Sequence, residues 1–163
     1  ALADSKITPI NRVAEDEPPY GASYYLPQIA AAAGSPISTD ELDDFPVDKQ
    51  YSEGHFVLLA CGNSMTPTIP HASRALMLGR DFLNNPHCKK GEVYSFVING
   101  ELTIKRFNTR LATAEEIERG INYTSFKTGE QKVSVLESDN KEFSEIVVTT
   151  DDFEMTGWFV KLL

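Results

Sequence analysis

The stretch Glu92-Val93-Tyr94-Ser95-Phe96-Val97-Ile98-Asn99-Gly100-Glu101-Leu102-Thr103-Ile104-Lys105-Arg106-Phe107 reads as two β-strands around a two-residue turn. Asn-Gly between apolar runs is the strongest short hairpin signal, because the turn that matches strand twist needs positive φ at both central residues. A two-residue loop fixes the register, so Ile98 faces Glu101, Phe96 faces Thr103 and Tyr94 faces Lys105. Side chains alternate along a strand, which puts Lys105 on one face with Thr103 and Phe107, opposite Phe96 and Tyr94. That face encloses one ammonium group in aromatic rings. A free lysine leaves only about one molecule in 2,500 uncharged at pH 7, and burial raises that fraction by penalising the charged form. From the strand alone two readings stay open: a buried amine poised as a base, or a lysine snorkelling from the hairpin edge with its stem against the rings.

Outward from the hairpin, further strands are expected over 55–61, 74–78, 132–136, 146–149 and 157–163. One short helix is expected over 113–119, where Thr113 and Glu116 have capping-box spacing and Gly120 supplies the stop. Short strands separated by turn signals predict a mainly β fold with one small helix. Residues 1–24 are polar and broken by Pro9, Pro18, Pro19 and Gly21, which predicts a flexible linker. Residues 25–54 divide into a small, apolar segment able to lie extended in a groove and an acidic connecting loop from residue 37. Residues 55–163 then form the folded domain.

The 163 residues suffice for one domain with a real core, and 41% hydrophobic with 24% charged residues is ordinary globular composition. A net charge of −9 repels nucleic acid over most of the surface, so direct DNA binding by this piece is not expected. No apolar run approaches the roughly 18–20 residues of a membrane span. The absence of a basic-then-apolar leader and of a metal-type or disulfide pattern at Cys61 and Cys88 points to the cytoplasm, with no cofactor and no metal. The chain opens on Ala1, which reads as a piece of a longer protein.

The strand over 55–61 runs directly into Gly62-Asn63-Ser64-Met65-Thr66-Pro67. Gly62 permits an unusual backbone angle before the serine and Pro67 stiffens the exit. A serine hydroxyl is a weak nucleophile until a neighbouring base takes its proton, and Lys105 is the candidate base. The backbone N–H groups of Asn63, Ser64 and Met65 are candidates to stabilise a tetrahedral oxyanion. Taken alone, such a tripeptide is more often a polar turn whose serine bonds only the local backbone. Upstream, Ala30-Ala31-Ala32-Ala33-Gly34-Ser35-Pro36 offers a bond for cutting.

Taken in order, these residues resemble the LexA family of self-cleaving proteins, which includes the UmuD polymerase subunit and lambda-type phage repressors. Ala33-Gly34 matches the cleavage site and Gly62 to Ile69 the nucleophile motif. Ile104-Lys105-Arg106 matches the base strand, and Leu136-Glu137-Ser138-Asp139-Asn140 with Ile146-Val147-Val148 the later segments. The resemblance implies a LexA/signal-peptidase-like β fold of short twisted strands. It also implies a Ser64/Lys105 pair acting as a serine endopeptidase on the chain itself. The expected role is the regulatory C-terminal domain of a transcriptional repressor in the response to DNA damage. The expected partners are a second copy of the chain and an activating RecA-type filament on single-stranded DNA; the apolar trio Trp158-Phe159-Val160 is a candidate contributor to the pairing and reads at least as well as a core strand. DNA itself would be bound only by an N-terminal domain outside this chain, and no membrane is involved. The alternatives are a UmuD-like accessory subunit of a translesion polymerase, or a non-catalytic dimerisation module. Signal peptidase uses a similar pair but needs a membrane anchor.

The sequence departs from the family in two places. His71-Ala72-Ser73 replaces the usual Asp-Gly-Asp, so that turn must be built differently. Residues 108–122 read as an insertion after the lysine strand. Lys127-Thr128-Gly129 and Ser138-Asp139-Asn140 imitate penicillin-binding motifs in the wrong order, and His71, His87 and Cys88 lack metal-site spacing. The motifs are set aside as coincidence, and His71, His87 and Cys88 are read as exposed loop residues.

Overall fold

The computed structural model describes residues 24–31 and 44–163, together with the backbone of two short strands, β1 (Ile7–Thr8) and β2 (Ile10–Asn11), which pair with each other inside the segment read as a linker. Three short strands come next: β3 (Tyr24–Leu26), β4 (Gln28–Ala31) and β5 (Phe45–Val47). The main run is β6 (His55–Ala60), β7 (Arg74–Gly79), β8 (Val93–Ile98) and β9 (Glu101–Leu111). The helix α1 (Ala114–Glu118) and strands β10 (Tyr123–Thr124), β11 (Gln131–Glu137), β12 (Ile146–Val148) and β13 (Phe153–Leu162) complete the chain. The fold is mainly β, as expected. No helix among the described residues is long and apolar enough to cross a membrane.

Nine strands form one sheet in the order β10-β11-β9-β8-β13-β7-β6-β4, with β12 also on β11. Every pair in it is antiparallel except β4 with β6. The hairpin register is the expected one: Ile98 opposes Glu101, Phe96 opposes Thr103 and Tyr94 opposes Lys105. Asn99 and Gly100 take φ of 52° and 80°, the turn that Asn-Gly favours. Strand β13 returns to the sheet centre between β8 and β7, so Trp158, Phe159 and Val160 lie within a central strand.

Two expectations need correction in detail. The segment from residue 37 is not loop throughout, because Phe45–Val47 pairs with β3 and buries Val47 against Leu26 and Val57. Strand β9 does not stop at Phe107. It continues to Leu111 because β11 pairs along its length, from Arg106 with Glu137 to Leu111 with Lys132. The remainder of the apparent insertion is anchored by charge. Arg110 grips both carboxylate oxygens of Glu116, at 2.8 and 2.7 Å, and reaches Glu145 at 2.7 Å. Those contacts, with the Thr113 N–H, hold the Glu116 carboxyl down to about 2. Thr113 and Glu116 close the expected capping box, and Gly120 ends the helix region with φ 71°.

The core cluster nearest the serine turn joins Leu58, Met65, Ile69, Met77 and Ile104. A second joins Tyr94, Phe96, Phe107 and Leu136 on the lysine side of the hairpin. Between β6 and β7 the chain turns through Ala72 at φ 68°, where a Cβ is opposed by its own backbone. The Ala72→Gly variant should therefore be more stable by about 0.5–1 kcal/mol, net of the extra freedom glycine gives the unfolded chain. Urea denaturation checks this; an equal or lower midpoint would show that the turn tolerates the side chain.

Candidate active site

Strand β6 delivers the chain into a turn held by its own groups. Gly62 adopts φ 101°, which a residue with a Cβ rarely takes. Its N–H donates to Nδ1 of His71 at 2.8 Å, so the histidine at the altered family position braces the turn through an unprotonated ring nitrogen. The backbone N–H and Oγ1 of Thr66 both donate to Asn63 O, at 3.2 and 2.9 Å. The N–H of Ile69 donates to Met65 O at 2.8 Å, and the side chains of Met65 and Ile69 are buried beneath the turn. The Thr66–Pro67 peptide is cis. With both ends pinned and its apolar side chains in the core, the turn presents Ser64 at the sheet's end.

Lys105 comes from mid-strand β9 and is only 4% exposed. Its Nζ donates to Ser64 Oγ at 3.0 Å. The neighbours on its face, Tyr94, Phe96 and Phe107, are all buried. Burial holds the Lys105 amine below the ordinary lysine value of 10.5. The snorkelling alternative is therefore not the observed arrangement.

This burial has a stability consequence. The folded chain binds the Lys105 proton less readily than the unfolded chain does, so stability rises with pH between the lowered folded-state value and 10.5. Below that window the charged amine is buried at full penalty. Lys105→Met keeps the length and removes the charge, so it should stabilise the fold at pH 7 by about 0.5–2 kcal/mol. The gain should shrink as pH approaches that of a free lysine. Thermal melts of both proteins across pH 7–10 measure it, and a destabilised Lys105→Met would mean the amine is well solvated.

A small pocket beside Ser64 is lined by Ala31, Cys61, Met65, Ile69, Thr103 and Ile104, among others. Ala31 ends β4, which lies parallel along β6, and the N–H of Cys61 donates to Ala31 O at 3.0 Å. The alanine segment thus lies extended in a groove beside the serine as far as it is described. Ala33 and Gly34 themselves lie outside the described residues. Among the candidate oxyanion donors, the amides of Asn63, Ser64 and Met65 donate to no described residue.

Sequence reasoning gave no role to the residues that join the serine turn to the lysine strand. Arg106 donates to Asp139 through Nε at 2.8 Å and Nη2 at 2.7 Å, and Thr68 Oγ1 donates to the same carboxylate. The guanidinium holds the Asp139 carboxyl below its usual value. Asn140 donates twice into the serine turn, from its N–H to Ser64 O and from Nδ2 to Asn63 O, each at 3.0 Å. Thr68 lies 71 residues from Asp139, Asn63 lies 77 from Asn140 and Arg106 lies 33 from Asp139, so no local spacing announces these contacts.

The arrangement can transfer a proton from a hydroxyl to a buried amine, and a carbonyl placed in the pocket would lie against that hydroxyl. A sequence model of the family described as Peptidase S24-like matches residues 24–118, more than half of the chain and including both Ser64 and Lys105. No curated protein matches the chain.

Proposed function

The chain belongs to the Peptidase S24-like family, and we propose that it is the regulatory C-terminal domain of a LexA-like or phage-type repressor, which cuts itself at Ala33–Gly34 in response to DNA damage. The observation that carries this reading is the buried Lys105 amine 3.0 Å from the Ser64 hydroxyl, beside a pocket that Ala31 helps to line. In the neutral state the Lys105 lone pair takes the Ser64 proton as Oγ bonds to the carbonyl carbon of Ala33. The resulting oxyanion is held by backbone amides of the serine turn. Collapse breaks the C–N bond, and protonated Lys105 gives its proton to the departing Gly34 amine. Water then hydrolyses the serine ester and restores the hydroxyl.

Ala33 is two residues beyond Ala31 in the sequence, a reach of at most roughly 7 Å, which favours attack within the same molecule. Control then resides in how often the bond docks, since the competent fraction scales the rate. A RecA-type filament on single-stranded DNA would raise that fraction, and the domain would pair with a second copy in the cytoplasm.

Mass spectrometry of the purified chain after incubation near pH 10 tests the reading. Fragments 1–33 and 34–163 are expected, and none from Ser64→Ala. A cut at another bond would displace the Ala33–Gly34 assignment alone, whereas cutting by Ser64→Ala would remove the serine mechanism.

A further inference from the structure

We propose that Asn140 is a positioning residue that aims the oxyanion-binding amides of the serine turn; the inference rests on the self-cleavage reading. A peptide unit is planar, so fixing a carbonyl fixes the N–H across the same bond, which points the opposite way in a trans peptide. Asn63 O shares its peptide plane with the Ser64 N–H, and Ser64 O shares its plane with the Met65 N–H. Neither of these peptides is cis. Asn140 holds both carbonyls, Asn63 O through Nδ2 and Ser64 O through its backbone N–H, each at 3.0 Å. It therefore grips from behind the two planes whose N–H groups donate to no described residue.

The grip is itself fixed. Asn140 Oδ1 accepts the N–H of Glu142 at 3.0 Å, which orients the side-chain amide with Nδ2 toward the turn. The preceding residue, Asp139, is clamped by Arg106 on the lysine strand and by Thr68 at the far end of the same turn. Asn140 thus holds the serine turn in a frame shared with Lys105. A hydrogen bond accepted at a carbonyl also polarises its peptide, making the opposite N–H a better donor. Asn140 touches neither Oγ nor Nζ by any hydrogen bond, so its effect passes through the amides and not through the proton transfer.

The test compares Asn140→Ala and the near-isosteric Asn140→Leu with wild type. Single-turnover self-cleavage is followed from pH 7 to 10.5, with the rate of Ser64 labelling by a fluorophosphonate and thermal melting in parallel. Both variants should cut and label about 10- to 100-fold more slowly at every pH. The pH midpoint should stay at the wild-type value, because the lysine environment is untouched, and melting should move by only a few degrees. Rates within twofold of wild type overturn the proposal. So does a displaced midpoint with an unchanged plateau, which would place the effect on Lys105, or a loss that disappears below the melting transition, which would make the role structural. A wild-type chain that neither cuts nor labels overturns the self-cleavage reading and this proposal together; a wild type that cuts no faster than Asn140→Ala overturns only the role of Asn140.

Discussion

Raising the pH from 7 toward 10.5 is expected to accelerate self-cleavage and then bring it to a plateau, with the midpoint below the ordinary lysine value. The sign is set by the base. Only the neutral amine accepts the Ser64 proton, and burial already favours that form by disfavouring the charged one. The rate tracks the neutral fraction until nearly every molecule carries it. Lys105→Ala should cut about 10²- to 10⁴-fold more slowly on the plateau, the range general-base assistance supplies. Its residual rate should climb with hydroxide and show no plateau. Lys105→Arg should not rescue the reaction, since a guanidinium stays protonated throughout. Stopped samples resolved by gel or mass spectrometry give these rates. A flat profile in wild type, or Lys105→Ala cutting at the wild-type rate, would remove the lysine from the mechanism.

Phe96→Ala should lower stability by about 3–5 kcal/mol, the range for losing a fully buried aromatic ring. Phe96 is 0% exposed and meets Tyr94 and Phe153 edge-on, with ring centroids 6.0 and 5.6 Å away. Such edge contacts add to the loss of buried area. Domains are stable by about 5–15 kcal/mol in total, so the variant would lose roughly a fifth or more of that margin. Its melting temperature should fall by roughly 10 °C. A second effect separates Phe96 from other core positions. The ring shares the Lys105 face of the hairpin, so a water-filled hole there would return the amine toward 10.5. The molecules still folded should therefore cut with a pH midpoint displaced upward. Urea titration measures the first effect and the cleavage profile the second. A loss below 1 kcal/mol would mean the surrounding rings collapse into the space.

The hairpin was legible because it is written locally, whereas the meeting of Ser64 with Lys105, 41 residues apart, was legible only through the resemblance. Asn99-Gly100 dictates a turn, the turn dictates a register, and the register puts Lys105 among Tyr94, Phe96 and Phe107. Thr113, Glu116 and Gly120 announced their helix for the same reason. What stayed hidden depends on distant partners. Phe45-Pro46-Val47 lies in an acidic stretch and becomes a strand only because Tyr24–Leu26 offers an edge. Asn108 to Leu111 extends β9 because β11 pairs with it, a fact no property of those four residues carries. Asn140 and His71 are polar loop residues until folding sets them against the serine turn. The same holds for the missing Asp-Gly-Asp. Here the backbone bends through positive φ at Ala72, and the His71 imidazole accepts from the Gly62 N–H.

The parallel docking of β4 on β6 also governs the aftermath of the cut. Severing the chain after Ala33 would remove a covalent tether, yet Gln28–Ala31 would still be hydrogen-bonded along His55–Ala60. The released piece would thus linger as its own competitive inhibitor, occupying the approach a second substrate would need. Under the self-cleavage reading the enzyme would be expended by one event, and the moment of release, rather than the chemistry, would set how long the severed halves act as one.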